Sequence, residues 1–199
     1  MTRLRFPPLA LAAAILSMGA MFGASAQSAG AASATAGTSA TKPAARALAG
    51  ADRHFVEKAA SDGMAEVELG QIAQQKASDD QVKQFAARMV QDHTKANDEL
   101  KQIASGKGVQ LPSGPDKKHA SEARKMQEMS GADFDRQYAK HMLADHKAAV
   151  ADFEKASKSG KDAEVKAFAE KTLPTLREHL KMAQALNDAG KGKAKKTGS

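Results

Sequence analysis

The chain has 199 residues, a formal net charge of +7 and no cysteine. That length holds about one domain of ~100 to 200 residues plus appendages, and the missing thiol excludes disulfides, thiolate metal sites, cysteine nucleophiles and cysteine lipidation. Arg3, Arg5, Lys191, Lys193, Lys195 and Lys196 carry most of the charge at the two ends, so the body between them is nearly neutral, which argues against a basic nucleic-acid groove built into the fold.

The chain opens like an export signal. "MTRLR" is a short basic stretch, Leu9 to Phe22 is apolar, and Ala24-Ser25-Ala26 is a small-residue cleavage site, which predicts removal of residues 1–26 before Gln27. The apolar run is shorter than the ~20 residues that span a membrane, so the expected product is periplasmic or secreted. Residues 27–50 are rich in Ala, Ser, Thr and Gly and read as a disordered linker. Residues 190–199 read as a disordered basic tail, open to non-specific contact with anionic lipid or polymer.

The remaining segment, 51–189, is dense in Ala, Lys, Glu, Gln, Leu and Met, with Pro confined to Pro112, Pro115 and Pro174. This is helix chemistry. A first helix over about Asp52 to Ala77 carries an inward stripe of Ala59, Gly63, Glu66, Gly70, Ala73 and Ala77, whose small residues would let a neighbour come close.

A second helix opens at Ser78-Asp79-Asp80-Gln81, where Ser78 and Gln81 are placed to form a capping box. Its stripe is Val82, Phe85, Met89, His93, Ala96, Leu100 and Ile103, and it ends near Gly106 and Gly108. The next long helix, about Gly131 to Ser157, carries Phe134, Tyr138, Met142, His146 and Phe153. The last follows Ser159-Gly160 with Val165, Phe168, Thr172, Leu176, His179, Ala183 and Leu186, and Pro174 within it predicts a kink.

Connection lengths set the topology. The first two helices and the last two meet almost directly, so each pair should be an antiparallel hairpin. Roughly 25 residues separate the hairpins, far beyond the ~2 to 8 usual between bundle neighbours, and long enough to run the length of the bundle even if "HASEARKMQEM" forms a short helix. The prediction is an all-α, ferritin-like four-helix bundle of two hairpins joined by a long crossover. "DDQVKQFAAR" and "DAEVKAFAEK", at the starts of the second and last helices, share D-x-x-V-K-x-F-A, as a duplicated hairpin would leave.

The segments "GMAEVELGQIAQQKASDDQVKQFAARMVQDHTKANDELKQIA", "FDRQYAKHMLADHKAAVADFEKAS" and "LPTLREHLKMAQAL" resemble a bacterial secreted family catalogued as domain of unknown function 4142. Its members are often labelled membrane or outer-membrane proteins. The resemblance covers nearly all of 52 to 189 and implies a ferritin-like four-helix fold in an exported protein, with no settled activity.

Two echoes, "FAARMVQDH" and "YAKHMLADH", place an Asp-His pair on two helices. Glu66, His93, His146 and His179 each fall on the inward stripe of a different helix. A buried polar group without a partner costs on the order of 2 to 7 kcal/mol, so four such groups would satisfy one another best around a cation. At ~1.5 Å per residue, Glu66 and His93 lie roughly 18 and 22 Å from one end of the bundle. His146 and His179 lie roughly 20 and 29 Å from the other, so His179 is expected to be offset, by an amount that a kink at Pro174 would correct or enlarge.

Three imidazoles and a carboxylate suit zinc, copper, iron or manganese. Asp92 and Asp145 are candidate acceptors behind the ligands, with the pairing open to another helix, and His141 is a reserve ligand. His54 and His119 read as solvated, and Glu178 as facing water.

A carboxylate di-iron centre needs Glu three residues before each of two histidines; here those positions are Val90, Leu143 and Leu176. Met89, Met142 and Met182 lie a turn from the histidines, where thioethers would suit copper(I) or simply fill the core.

No serine-nucleophile or phosphate-binding motif is present. Three classes stay open: a metal-binding or metal-storing bundle of the envelope, a non-catalytic interaction or stress-protection module with a structural polar seam, whose helix faces or basic tail meet another envelope component, and a redox metalloenzyme.

Overall fold

The computed structural model describes residues 47–197, with side chains placed up to residue 192. The expected signal peptide and most of the expected linker lie outside the described residues. Five helices follow in order: α1 Gly50–Lys76, α2 Asp80–Gly106, α3 Lys117–Gln127, α4 Gly131–Ser159 and α5 Ala163–Thr197. Among the described residues there is no strand.

The topology is the predicted one. α1 packs on α2 and α4 packs on α5, while α3, in the crossover, lies against α1 and α4. Across the hairpins, α1 runs antiparallel to α4, with Lys58 against Asp152 and Glu66 against His146. Likewise α2 runs antiparallel to α5, with Asp92 against His179 and Glu99 against Lys171. That leaves α2 and α4 parallel, which is why the chain between them must travel the length of the bundle.

The two hairpin turns are capped reciprocally. Asp135 of α4 accepts from Ser78 N at 3.0 Å, Ser78 Oγ at 2.5 Å and Asp79 N at 3.0 Å. Asp52 of α1, itself buried, accepts from Lys161 N at 2.9 Å and Asp162 N at 2.8 Å. Each hairpin therefore satisfies the free amides of the other's turn, a device that locks the pair together. The expected capping box is not formed. Ser78 is drawn to Asp135, and Asp79 caps α2 by accepting from Gln81 N at 2.8 Å.

Small residues on α1 do what their spacing predicts. A Cβ on Gly63 would collide with the Asn97 side chain, and one on Gly70 would lie 2.8 Å from Val90 Cγ2 and 3.0 Å from the Ala86 carbonyl oxygen. Leu48, which composition places in the linker, is buried and joins the core, so the folded domain begins earlier than expected. α5 continues through the lysine-rich stretch beyond Ala189; alanine and lysine are good helix formers, and cations suit a helix C-terminus. It also stays helical through Pro174.

The apolar core is in two parts. One contains Leu69, Phe85, Met89, Phe134, Tyr138 and Met142, and the other contains Val56, Leu100, Phe153, Val165, Phe168 and Leu176. On every long helix the break between these parts falls at one polar residue or its near neighbour: Glu66, His93, His146 and His179. Burying a Leu or Phe side chain contributes about 1.5–3 kcal/mol, so two such clusters supply the stability that lets a polar layer sit between them.

Candidate metal centre

All four central residues are buried: Glu66 at 5% exposure, His93 at 7%, and His146 and His179 at 0%. Ring centroids lie 5.7 Å apart for His93 and His146, 5.3 Å for His93 and His179, and 5.3 Å for His146 and His179. The triangle is nearly equilateral. Each imidazole offers a nitrogen within 4.8 Å of the others, so the three can hold a metal ion.

His179 is not offset. Lys161 and Asp162 are used in the turn, so α5 starts at Ala163 and the axial gap to His146 shrinks to roughly 4 to 5 Å at ~1.5 Å per residue. An imidazole spans that.

Hydrogen bonds fix which nitrogens carry protons. His146 Nδ1 lies 2.9 Å from the Met142 carbonyl oxygen, which can only accept, so Nδ1 is the donor. His179 Nε2 lies 2.8 Å from Asp92 Oδ2 and donates to it. Burial, and then the neighbouring His93 charge, hold His179 down to about 4 in spite of Asp92, so its other nitrogen is bare at neutral pH. The consequence is a conflict wherever both rings are neutral: His146 Nε2 and His179 Nδ1 face each other at 3.3 Å, each then with a lone pair. A positive charge between them resolves it.

Glu66 stands beside this triangle. Its Oε2 lies 2.8 Å from His93 Nε2, and its Oε1 lies 3.4 Å from the proton-bearing Nδ1 of His146, away from that ring's Nε2. Burial raises the Glu66 carboxyl, but His93 and His146 outweigh it and bring it to about 2. Burial likewise lowers His93, and the Glu66 charge overrides this and raises it. The His93 nitrogen, itself shielded from solvent, is close to Glu66 yet makes no hydrogen bond to it.

Asp92 is the acceptor that the sequence places behind a ligand, and it serves a histidine on another helix, not its neighbour His93. It also takes Arg88 Nε at 3.2 Å. Burial raises its carboxyl, and the His179 and Arg88 hydrogen bonds more than offset that.

Asp145 and His141 do not join the centre. His141 Nε2 lies 2.9 Å from Asp145 Oδ2 on the same face of α4, turned toward the crossover. His119, expected to be solvated, has a side chain only 11% exposed and lies 3.8 Å from Asp145. It sits on the face of α3 that packs against α1 and α4, which periodicity within the long helices does not reveal. Spacing did hold a signal, since Asp116 and His119 stand three apart at a helix start and Asp62 stands one turn before Glu66. His54 and Glu178 are exposed, as expected.

Met89 and Met142 are fully buried in the apolar core, and Met182 packs against it with its sulfur 3.7 Å from Arg88 Nη1. They act as core filler. A cavity of about 200 Å³ reaches Glu66 and His93 past Asp62, Asp116, His119 and Asp145.

Fold and site together define a ferritin-like helical bundle with a buried carboxylate and histidine layer at mid-height. The model of the domain of unknown function DUF4142 matches residues 37–186, and the chain belongs to that family. No curated protein matches the sequence. A DUF305 fragment from Deinococcus radiodurans superposes with a TM-score of 0.64 at 14% identity, covering 72% of this chain and 99% of that one. A Streptomyces coelicolor DUF305 protein, described as a candidate secreted protein, gives 0.60 at 14% identity over 70% and 93%. CopM in its Cu(I)-bound form gives 0.58 at 17% identity over 69% and 96%. At these identities the likeness shows the fold. Among the described residues no helix is long and apolar enough to cross a membrane, so the membrane label often attached to the family finds no support in them.

Proposed function

We propose that this is an exported protein of the cell envelope that binds one transition-metal ion through His93, His146 and His179. Glu66 and Asp92 orient the rings from behind. The observation that carries this reading is the pair of nitrogens, His146 Nε2 and His179 Nδ1, facing each other at 3.3 Å between rings sealed from solvent, while the opposite nitrogen of each ring already donates elsewhere. A metal ion would satisfy both, and His93 would complete a three-imidazole set of the kind zinc and copper take, with a fourth position open. The carboxylate behind His179 matches the carboxylate–histidine–metal arrangement that fixes tautomer and ring direction. The Cu(I)-bound state of CopM, a protein of the same fold, supports copper as the first metal to test. Iron and manganese are served less well, because Glu66 holds rings and leaves the ligand set rich in nitrogen.

A second reading has its own support: a shared proton would also relieve the His146–His179 contact, and the layer would then serve only to fix helix register. Metal analysis of the purified mature chain, followed by titration of the metal-free protein with Cu(I) and Zn2+, separates the two. The expected result is one tight equivalent of Cu(I), and a tight Zn2+ equivalent at the centre, each weakened about 100-fold or more by His93→Ala, and about 10- to 100-fold by Asp92→Asn. Equal binding by wild type and His93→Ala, or none by either, would leave the register reading.

A further inference from the structure

A second group of ligating side chains lies outside that layer, where the crossover meets α1 and α4. Asp116 ends the crossover loop as the N-cap of α3, its Oδ1 accepting from His119 N at 2.9 Å, and its own amide donates to Ser61 Oγ of α1 at 3.0 Å. This pins the loop beside Asp62. One ligand atom each from Asp62, Asp116 and His119 lies within 4.8 Å of the others. His119 Nδ1 is 3.1 Å from Asp116 Oδ1 and 4.0 Å from Asp62 Oδ1, shielded from solvent, and makes no hydrogen bond. On its other edge the same ring approaches Asp145, which His141 also faces with a nitrogen that lacks a hydrogen bond.

Carboxylates outnumber lysines along the cavity: Asp62, Glu66, Asp116 and Asp145 against Lys58 and Lys118. Three carboxylates, Asp62, Asp116 and Asp145, surround two imidazoles. Of the two lysines lining the cavity, Lys58 is 2.6 Å from Asp62 but is shared with Asp152 at 3.2 Å. Lys58 can therefore release Asp62 and keep a partner. The donor set is two oxygens and one nitrogen, harder than the three nitrogens of the centre, and it suits Zn2+ or Mn2+ better than Cu(I).

We propose that Asp62, Asp116 and His119 form a second divalent-cation site at the mouth of the cavity, separate from the three-imidazole centre. Its ligands come from α1, from the crossover loop and from α3, so they meet only in the folded chain. An ion there ties the crossover to the bundle.

The test uses the mature protein, stripped of metal and titrated with Zn2+ by calorimetry and with Mn2+ by loss of the free-ion EPR signal. Wild type should take two Zn2+. The double variant His93→Ala/His179→Ala should keep one, together with the Mn2+ site. Asp116→Asn, which retains a capping side chain, should weaken that remaining site about tenfold by removing a ligand charge, and His119→Ala should abolish it while leaving the centre.

A single equivalent lost in His93→Ala/His179→Ala but untouched by His119→Ala and Asp116→Asn overturns the second site alone. A single equivalent lost in His119→Ala overturns the central reading and upholds this one. No binding by a wild-type chain shown folded by circular dichroism overturns both.

Discussion

The two clusters are built from the same residue types and obey different physics. At the centre, His146 and His179 are sealed from solvent and every polar neighbour comes from a rigid helix of the bundle. At the rim, Asp116 is 54% exposed and is placed by a loop. Water at the rim screens the exposed carboxylates and lysines, so a missing ion-pair partner there costs little, although the His119 Nδ1 atom is itself shielded. In the centre nothing else can answer a charge. The contrast teaches that the central geometry is enforced by folding itself, whereas the rim geometry is held by a few capping bonds and waits on a ligand.

The largest expected effect breaks that contrast at its strongest point. Glu66→Ala leaves the His93 imidazole without its carboxylate in a buried layer, and removing one partner of such a pair costs about 3–5 kcal/mol. Asp62→Ala at the rim, with an exposed lysine as partner, should cost about 1 kcal/mol or less. Urea unfolding of both variants, metal-free, measures the difference. If the two losses are similar, the centre is wetter than its burial indicates.

Acid should sharpen the same contrast with a smaller effect. His179 is held at about 4 in the fold against an ordinary 6.5. Between those values the unfolded chain binds a proton that the folded chain refuses, so stability falls as pH drops from about 6.5 to 4. Glu66, at about 2 against 4.5, continues the loss from about 4.5 downward. His93 works in the other direction: its raised value makes its contribution complete below 6.5 and lost as pH rises through the folded value. Unfolding midpoints of the metal-free protein should therefore drop between pH 7 and pH 4. Replacing His179 with Leu should remove the upper part of that slope. A pH-independent midpoint would mean that these rings are not held as the geometry implies.

Much of the centre was legible because a helix that buries one stripe must bury whatever the stripe contains. Glu66, His93, His146 and His179 break four apolar stripes, and mid-height placement followed from counting residues. The offset expected for His179 failed on two residues of turn, Lys161 and Asp162, which periodicity cannot assign. The side of the ring that Glu66 would meet was not legible either, since it depends on a backbone carbonyl, that of Met142, claiming one nitrogen.

At the rim the failure was of another kind. His119 and Asp116 belong to a short helix, and what covers a short helix depends on where the crossover lays it down. The capping box at Ser78 misled for a similar reason, because Asp135 is 57 residues away and outbids the local partner.

The smallest expected effect tests whether the rim waits on a ligand. Lys58 is 43% exposed and bridges Asp62 and Asp152, so Lys58→Gln should change the stability of the metal-free protein by about 1 kcal/mol or less. Burial already holds the Asp62 carboxyl above its usual value, with Lys58 opposing that rise. Without the ammonium, the cluster of carboxylates repels itself more strongly, and an arriving divalent ion meets no competitor. Zn2+ affinity at the rim should rise about two- to tenfold, while the central equivalent is unchanged. A fall in affinity would instead make Lys58 the group that holds Asp62 in place. The rim would then be an ion-pair network in its finished form, with nothing left for a metal to complete.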